Sequence, residues 1–246
     1  MKYAPKQERL FESSKLKELD TTIKQNSTQD MNSDELFAHI AYKALADQRL
    51  HNIYWSKETQ ELADLAITKA YEESVDKKDL VRAKLERNQA QIIIRDPNHN
   101  KFDEAEELLQ SALSTFQNFK MEHEILFTED EILRTKFKRL SRQSANNSKS
   151  IDEIHRSWLD LLSRFEEFIN KNEADTTWYR NSIRHFVEFC ACFRRKNNGY
   201  ARTAIKLFAK DNRKKAIECS LYGLGYVGYL IVVKLENFSK TGRRPN

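Results

Sequence analysis

Apolar residues recur every three or four positions along most of this 246-residue chain, and polar residues fill the positions between them. This period is typical of amphipathic helices, which turn one apolar stripe towards a core. The chain has only five glycines and three prolines, the residues that usually mark strands, turns and irregular loops. The pattern predicts an all-α protein with about ten helices, at residues 5–24, 33–54, 57–75, 78–95, 102–120, 128–143, 150–171, 176–196, 200–210 and 212–236.

Short polar stretches separate the predicted helices, and the two clearest apolar stripes lie at 102–120 and 150–171. Helices joined by short loops pack as antiparallel neighbours. The sequence therefore predicts stacked antiparallel helical hairpins in one helical-repeat-like domain over residues 31–246. We expect residues 1–30, whose apolar stripe is weaker, to form an N-terminal helical arm.

Three of the predicted helices share one spacing of small residues, which leaves a groove where a neighbouring helix can approach closely. The three sets are Ala63, Ile67 and Ala70; Ala105, Leu109 and Ala112; and Ala216, Ser220 and Gly223. This spacing resembles the tetratricopeptide repeat, whose helix pairs stack through large and small residues at such offsets. The resemblance implies a solenoid whose concave surface binds a peptide or protein partner without covalent chemistry. An irregular helical bundle is the alternative architecture.

The helix predicted at 176–196 carries candidate chemistry, in the run Tyr179-Arg180-Asn181-Ser182-Ile183-Arg184-His185-Phe186. The run resembles the RNase motif of the HEPN family, in which an Arg and a polar residue, often Asn, precede a His. The resemblance implies metal-independent RNA cleavage by a helical protein that usually dimerises.

In that function, His185 exchanges protons at the ribose 2′-OH and the leaving oxygen. Arg180 holds the phosphate and stabilises the charge of the transition state. We expect the five-residue offset to keep both side chains near one helix face. The alternative is that Arg180 and Arg184 are solvated and that His185 is a partly buried, hydrogen-bonded residue.

Positive charge is concentrated in the C-terminal third, although the net charge is only +5. Ten Lys and Arg lie between residues 184 and 215, against one Glu and one Asp. Such a run is either a set of solvated helix faces or a surface for RNA or another anionic partner. The candidate nucleic-acid-binding residues are Arg194, Arg195, Lys196, Arg202, Lys206, Arg213, Lys214 and Lys215.

The segment 216–233 is almost wholly apolar apart from Glu218. We interpret it as a core helix or as an interface, either with a partner or between two copies of the chain. Its length reaches only the lower edge of a membrane span, so a membrane partner is not expected. Gly223, Gly225 and Gly228 spell a dinucleotide-binding motif, but too little chain follows for the βαβ unit that this motif needs.

The sequence has no metal-ligand spacing and no nucleophile motif, so no cofactor or metal is expected. Cys190, Cys192 and Cys219 lie in apolar helical context, and the N-terminus has no apolar signal core. Both features favour the cytoplasm. The sequence thus predicts a non-enzymatic adaptor that docks a protein partner and contacts nucleic acid through its basic third. The HEPN-type RNase is the alternative.

Overall fold

The chain is described by a computed structural model at residues 28, 31–48, 53, 55–95, 101–142, 148–172 and 176–241, with side chains as far as residue 236. Every regular element within these residues is helical, which confirms the all-α class. The ten helices are α1 (Ser33–Ala46), α2 (Lys57–Glu73), α3 (Val75–Arg95), α4 (Phe102–Asn118), α5 (Glu122–Arg142), α6 (Ser148–Asn172), α7 (Thr177–Cys192), α8 (Tyr200–Phe208), α9 (Arg213–Gly223) and α10 (Tyr226–Thr241). The helix predicted at 5–24 lies outside the described residues.

Several predicted boundaries differ from the structure. The helix predicted at 33–54 ends at Ala46, and the helix predicted at 176–196 ends at Cys192. Helix α5 begins at Glu122 rather than at residue 128, since Lys120 turns the chain with a left-handed φ of 54° and the Met121 amide bonds to the Phe116 carbonyl. The helix predicted at 212–236 is two helices, because the chain turns at Gly225, which has a φ of 71°. Glycine adopts this left-handed conformation without steric cost.

A second glycine lets α9 and α10 pack closely. A Cβ at Gly228 would lie 1.4 Å from the Leu221 carbonyl oxygen, so any side chain there would force the two helices apart. A Cβ at Gly223 would lie 3.5 Å from the Ala201 Cβ, which is ordinary van der Waals contact. The glycine-rich run therefore forms the corner of a helical hairpin.

Contacts along the chain group into two compact units, Met1–Thr128 and Glu129–Asn246. In the first unit, consecutive helices from α1 to α4 pack against each other as stacked hairpins. The core of α1, α2 and the start of α3 consists of small and aliphatic side chains: Leu36, Ile40, Ala63, Ala66, Ala70, Val81 and Leu85. Alanines at these positions let helix axes approach closely.

The second unit has an aromatic core. Helix α7 packs against α6, α8, α9 and α10. The large aromatic side chains that are fully buried in the unit are Phe137, Trp158, Phe165, Phe186, Phe189 and Phe208. Trp158 and Phe189 have ring centroids 5.1 Å apart, and Phe137 meets Phe189 edge-on at 5.7 Å. No described helix is both long and apolar enough to cross a membrane.

The small residues of the repeat-like spacing have different environments in the two units. Those of α2 and α4 are buried, except that Ile67 is half-buried, whereas Ser220 and Gly223 of α9 are exposed. The resemblance to the tetratricopeptide repeat itself stays a prediction.

Candidate functional site

A buried carboxylate, Asp130 of α5, accepts three hydrogen bonds inside the second unit. Trp158 Nε1 and Ser182 Oγ both donate to its Oδ1, over 3.0 Å and 2.6 Å. His185 Nδ1 lies 2.9 Å from its Oδ2. Because an ionised carboxylate can only accept, Nδ1 of His185 carries the proton of this hydrogen bond. Nε2 is then the unprotonated nitrogen of the neutral ring.

Burial and neighbouring groups set the charge states of this pair. Burial lowers the pKa of His185, and although the charge of Asp130 opposes this effect, Arg134 and Arg184 reinforce it. Burial would raise the pKa of Asp130, but His185 and the hydrogen bonds from Ser182 and Trp158 bring it below its usual value. The pair is therefore an ionised carboxylate and a neutral imidazole at pH 7, and His185 is only 6% exposed.

A half-buried carboxylate on α7, Glu188, links this helix to α5. Lys138 Nζ lies 3.2 Å from its Oε1, and Arg184 Nη1 lies 3.8 Å from its Oε2. Burial opposes ionisation, but the charges of Lys138 and Arg184 lower the pKa of Glu188 to about 2. Arg184 thus takes part in an internal ion pair rather than lying in solvent as the alternative interpretation expects.

Arg180 and His185, the two residues of the predicted RNase motif, have separate partners. The Arg180 guanidinium pairs with Asp211 and lies 5.4 Å from the ring centroid of Phe208. Five residues rotate a helix about 140° beyond a full turn, so His185 faces α5 instead. The five-residue offset does not align the two side chains as expected, and RNase activity stays a prediction.

Asn181, the polar residue of the motif, also joins α7 to α9. Its Oδ1 accepts a hydrogen bond of 3.0 Å from Lys215 Nζ, which lies 5.2 Å from the ring centroid of Phe208. Burial, followed by the charges of Arg184 and Arg180, lowers the pKa of Lys215. These contacts hold the helices of the second unit together.

The eight candidate nucleic-acid-binding residues divide into two groups. Three are engaged within the fold: Arg194, which is also exposed, lies over the Tyr226 ring at 4.8 Å, Arg195 pairs with Asp152 at 2.8 Å, and Lys215 bonds to Asn181. The other five are exposed, namely Lys196, Arg202, Lys206, Arg213 and Lys214. Lys196 bonds to the ring of His155 through its backbone carbonyl. Its side-chain ammonium group takes no part in that contact.

Helices α9 and α10 expose large apolar side chains. Leu224 is 66% exposed, Val227 65% and Leu235 55%, and Ile217, Leu230 and Ile231 are also exposed. Val227, Ile231 and Leu235 follow one another at four-residue intervals and share one side of α10, while neighbouring Val232 is buried. We call the set Ile217, Leu224, Val227, Leu230, Ile231 and Leu235 the apolar face.

The cysteines offer no reactive group. Cys190, Cys192 and Cys219 all lie in the second unit, and burial raises the pKa of each thiol, that of Cys219 to about 11. The thiolate is the nucleophilic form, so these protonated thiols are inert in the folded chain. Across the described residues, no group of three His, Cys, Asp or Glu is placed to hold a metal ion.

Sequence patterns alone did not identify Asp130 or Trp158 as members of a polar site. Asp130 lies 28 residues before Trp158 and 55 before His185. No spacing within one helix joins residues so far apart in the chain. The one local signal was His185 in an apolar stripe, because a buried imidazole needs a hydrogen-bond partner.

Comparison with known proteins gives no family for these sites. No protein-family model, curated protein or solved structure matches the chain.

Proposed function

We propose that this protein is a non-enzymatic helical adaptor that docks an amphipathic helix of a protein partner on the apolar face. The observation that supports this function is the exposure of six large aliphatic side chains on two consecutive helices and the turn between them. Large apolar side chains that are exposed close together mark interaction sites in soluble proteins. Covering it releases about 25 cal/mol for each Å² removed from water.

The apolar face fits a helix better than an extended peptide. Val227, Ile231 and Leu235 lie along about 12 Å of α10, one helical turn apart. A partner helix with apolar residues at positions i, i+3, i+4 and i+7 presents anchors at the same interval. An extended strand would instead require an open sheet edge, and none of the described elements is a strand.

Charge at the border of the apolar face indicates the chemistry of the partner. Arg213 and Lys214 precede Ile217 by four and three residues, so all three side chains share one side of α9. Both cations are exposed. A partner helix with acidic residues beside its apolar stripe would complement them. Such rim charges favour fast and selective association more than tight binding.

Site-specific photocrosslinking tests the adaptor function. A photoreactive residue in place of Val227 should crosslink in cells to one discrete polypeptide. The same residue in place of Lys57, an exposed position of the first unit, should not. A Val227→Ser/Ile231→Ser variant, probed from Leu235, should lose the crosslink. Equal crosslinking from both positions would contradict the proposal, and self-crosslinking of the purified chain would make the partner a second copy.

Metal-independent RNA cleavage by Arg180 and His185 is the alternative function. The hydrogen bond to Asp130 favours it, because the bond leaves Nε2 of His185 free to accept a proton, as a general base must. Cleavage also requires Arg180 to leave Asp211 and RNA to reach a ring that is almost wholly buried.

A cleavage assay separates the two functions. Single-stranded RNA is incubated in EDTA with the parent and with Arg180→Ala and His185→Ala variants whose folding has been checked by circular dichroism. The adaptor function expects intact RNA in every sample. Cleavage by the parent alone would establish the RNase and displace the adaptor.

A further inference from the structure

Beyond protein docking, we infer that the outer side of α8 binds the phosphate backbone of a nucleic-acid duplex. Arg202, Lys206 and Lys210 form the site, which we call the basic stripe. The stripe includes Lys210, which is not in the predicted set. It leaves out the cations that the fold already engages, and also the exposed Lys196, Arg213 and Lys214, which lie outside α8 and the turn after it. It shares no residue with the apolar face, so the two sites can be tested separately.

Helix geometry places the three cations in one row. They follow one another at four-residue intervals, about 6 Å apart along the axis. Lys210 lies in the turn after α8, where Ala209 keeps helical dihedral angles and the Asn212 amide bonds to the Phe208 carbonyl. The opposite side of the helix is buried through Ala201, Ala204 and Phe208, so the row faces solvent.

The charge of the basic stripe is not compensated locally. All three side chains are exposed, and within the described part of the chain no carboxylate pairs with them. Asp211, the adjacent acid, pairs with Arg180. Residues 129–246 contain 24 Lys and Arg against 14 Asp and Glu, a net charge of +10, whereas residues 1–128 contain 18 against 23, a net charge of −5. The second unit therefore attracts polyanions.

The surroundings of the stripe favour nucleic acid over an acidic protein. Protein interfaces depend on apolar and aromatic anchors at their centre. On α8, every apolar side chain larger than alanine is buried or half-buried, and the large aliphatic residues that are exposed in the described part of the unit lie on α9, on α10 and in the turn between them. Phosphate binding needs no such anchors, because its affinity comes from the release of counterions by Lys and Arg.

The same surroundings favour a duplex over a single strand. Proteins that bind single strands stack bases on exposed aromatic side chains. Between residues 129 and 236, no described aromatic side chain is exposed. A duplex carries one charge for about every 1.7 Å of axis, a higher density than a single strand offers. We therefore expect binding that depends on phosphate density and ignores base sequence.

Salt-dependent binding of a 20-base-pair duplex tests the inference. Fluorescence anisotropy is measured between 50 and 200 mM salt for the parent and for an Arg202→Gln/Lys206→Gln/Lys210→Gln variant. Three phosphate contacts contribute about −2.7 to the slope of log K against log salt, or about fortyfold in affinity over this range. The variant should lose this contribution. All three positions are exposed, so its folding should be unchanged.

A matched variant controls for net charge. Arg82→Gln/Lys57→Gln/Lys120→Gln removes one Arg and two Lys from exposed positions of the first unit. It should bind the duplex with the slope of the parent. If both variants lost an equal part of the slope of log K against log salt, the basic stripe would not be the binding site, because binding would then follow total charge alone.

Other ligands test the chemistry of the site. A single strand of equal length should bind more weakly than the duplex, and RNA and DNA duplexes should bind within a few-fold of each other. A tighter single strand, a more than tenfold preference between the duplexes, or full competition by polyglutamate at equal charge would each overturn duplex backbone binding.

The two proposals can be tested independently. The Val227→Ser/Ile231→Ser variant should bind the duplex normally, and the stripe variant should keep the crosslink from Val227, so either proposal can fail alone.

Discussion

Each unit buries one aspartate that accepts three hydrogen bonds, but the donors differ. In the first unit, Asp47 receives Lys43 Nζ at 3.1 Å, Ser56 Oγ at 3.0 Å and Thr59 Oγ1 at 3.3 Å. In the second unit, Asp130 receives an indole, a hydroxyl and an imidazole. One carboxylate is thus held by a permanent cation and the other by a neutral ring that can titrate.

The two basic partners respond to their surroundings in opposite directions. Burial lowers the pKa of Lys43, but Glu58 and Asp47 outweigh it and raise the pKa overall. Burial dominates for His185 and lowers its pKa. A buried carboxylate can therefore be stabilised by charge, as Asp47 is, or by hydrogen bonding, as Asp130 is. Only the arrangement around Asp130 depends on pH near neutrality.

Removal of the carboxylate should give the largest difference between the units. Asp130→Ala leaves three buried donors without an acceptor, which we expect to cost about 3–5 kcal/mol of unfolding free energy. Asp47→Ala should cost less, because Lys43 keeps an ion pair with Glu58 at 3.0 Å. Hydrogen exchange resolves the two units separately.

The control for this experiment is Asp130→Asn, which keeps one acceptor oxygen and nearly the same shape. It should lose less stability than Asp130→Ala. If Asp47→Ala and Asp130→Ala destabilise their units equally, the distinction between the two carboxylates is wrong.

Close helix packing depends on alanine in the first unit and on glycine in the second, and the glycine can be tested directly. Gly228→Ala should cost about 1–3 kcal/mol or more, because its Cβ would overlap the Leu221 carbonyl. Gly223→Ala should be neutral or stabilise by up to about 1 kcal/mol, since the site has room and alanine favours helix. Thermal unfolding of both variants measures the difference, and equal melting temperatures would contradict it.

Mild acid should weaken the second unit through His185. Its pKa is lowered in the folded chain, so below pH 6.5 the unfolded state binds more protons than the folded state. The contribution of neutral His185 to stability is therefore complete at neutral pH. The free energy of unfolding falls as the pH decreases from about 6.5, by at most about 1.4 kcal/mol per pH unit. Hydrogen exchange of the second unit at pH 7 and pH 5, corrected for the intrinsic rate, measures the loss.

Two substitutions localise this pH response. His185→Gln removes the titrating group and can still donate to Asp130, so it should flatten the pH dependence of the second unit. The first unit contains its own buried imidazole, His39, whose pKa is lowered by burial and by Lys43. His39→Gln should leave the response of the second unit intact. A steep acid loss that survives His185→Gln would assign the effect to another group.

The smallest effect concerns the apolar face, which has no counterpart on any single helix described in the first unit. Ile231→Ser should change stability by no more than about 0.5 kcal/mol, because the residue is exposed. Val232→Ala, at the adjacent buried position, should cost about 1–3 kcal/mol. Urea unfolding compares the two. A large loss for Ile231→Ser would show that the face belongs to the core.

Periodicity predicts most of the fold because burial of one helix stripe is a local property of the sequence. It gives α2, at Lys57–Glu73, and α4, at Phe102–Asn118, within two residues of each boundary. It misses the start of α5, whose first turn is polar, and the turn at Gly225 inside an apolar run. In both cases a backbone conformation, rather than a hydrophobic pattern, decides where the helix ends.

The candidate site is less predictable for the same physical reason. The interpretation of His185 as a hydrogen-bonded residue agrees with the structure, but its acceptor on α5 follows from tertiary packing. Exposure likewise separates Arg202 and Lys206 from Arg195, which lies in the same basic run but pairs with Asp152. Charge runs in a sequence therefore identify a region, and packing selects the residues within it.

The placement of the cysteines gives the chain a built-in chemical reporter. The only three thiols of the protein lie in the second unit, where Cys190 and Cys219 are buried and Cys192 is half-buried. A colorimetric disulfide reagent would therefore react with Cys190 and Cys219 at the rate at which the second unit opens, while the first unit, which has no cysteine, would not react. Unlabelled wild-type protein could thus report the local opening of one half of the molecule, in the presence or absence of any ligand.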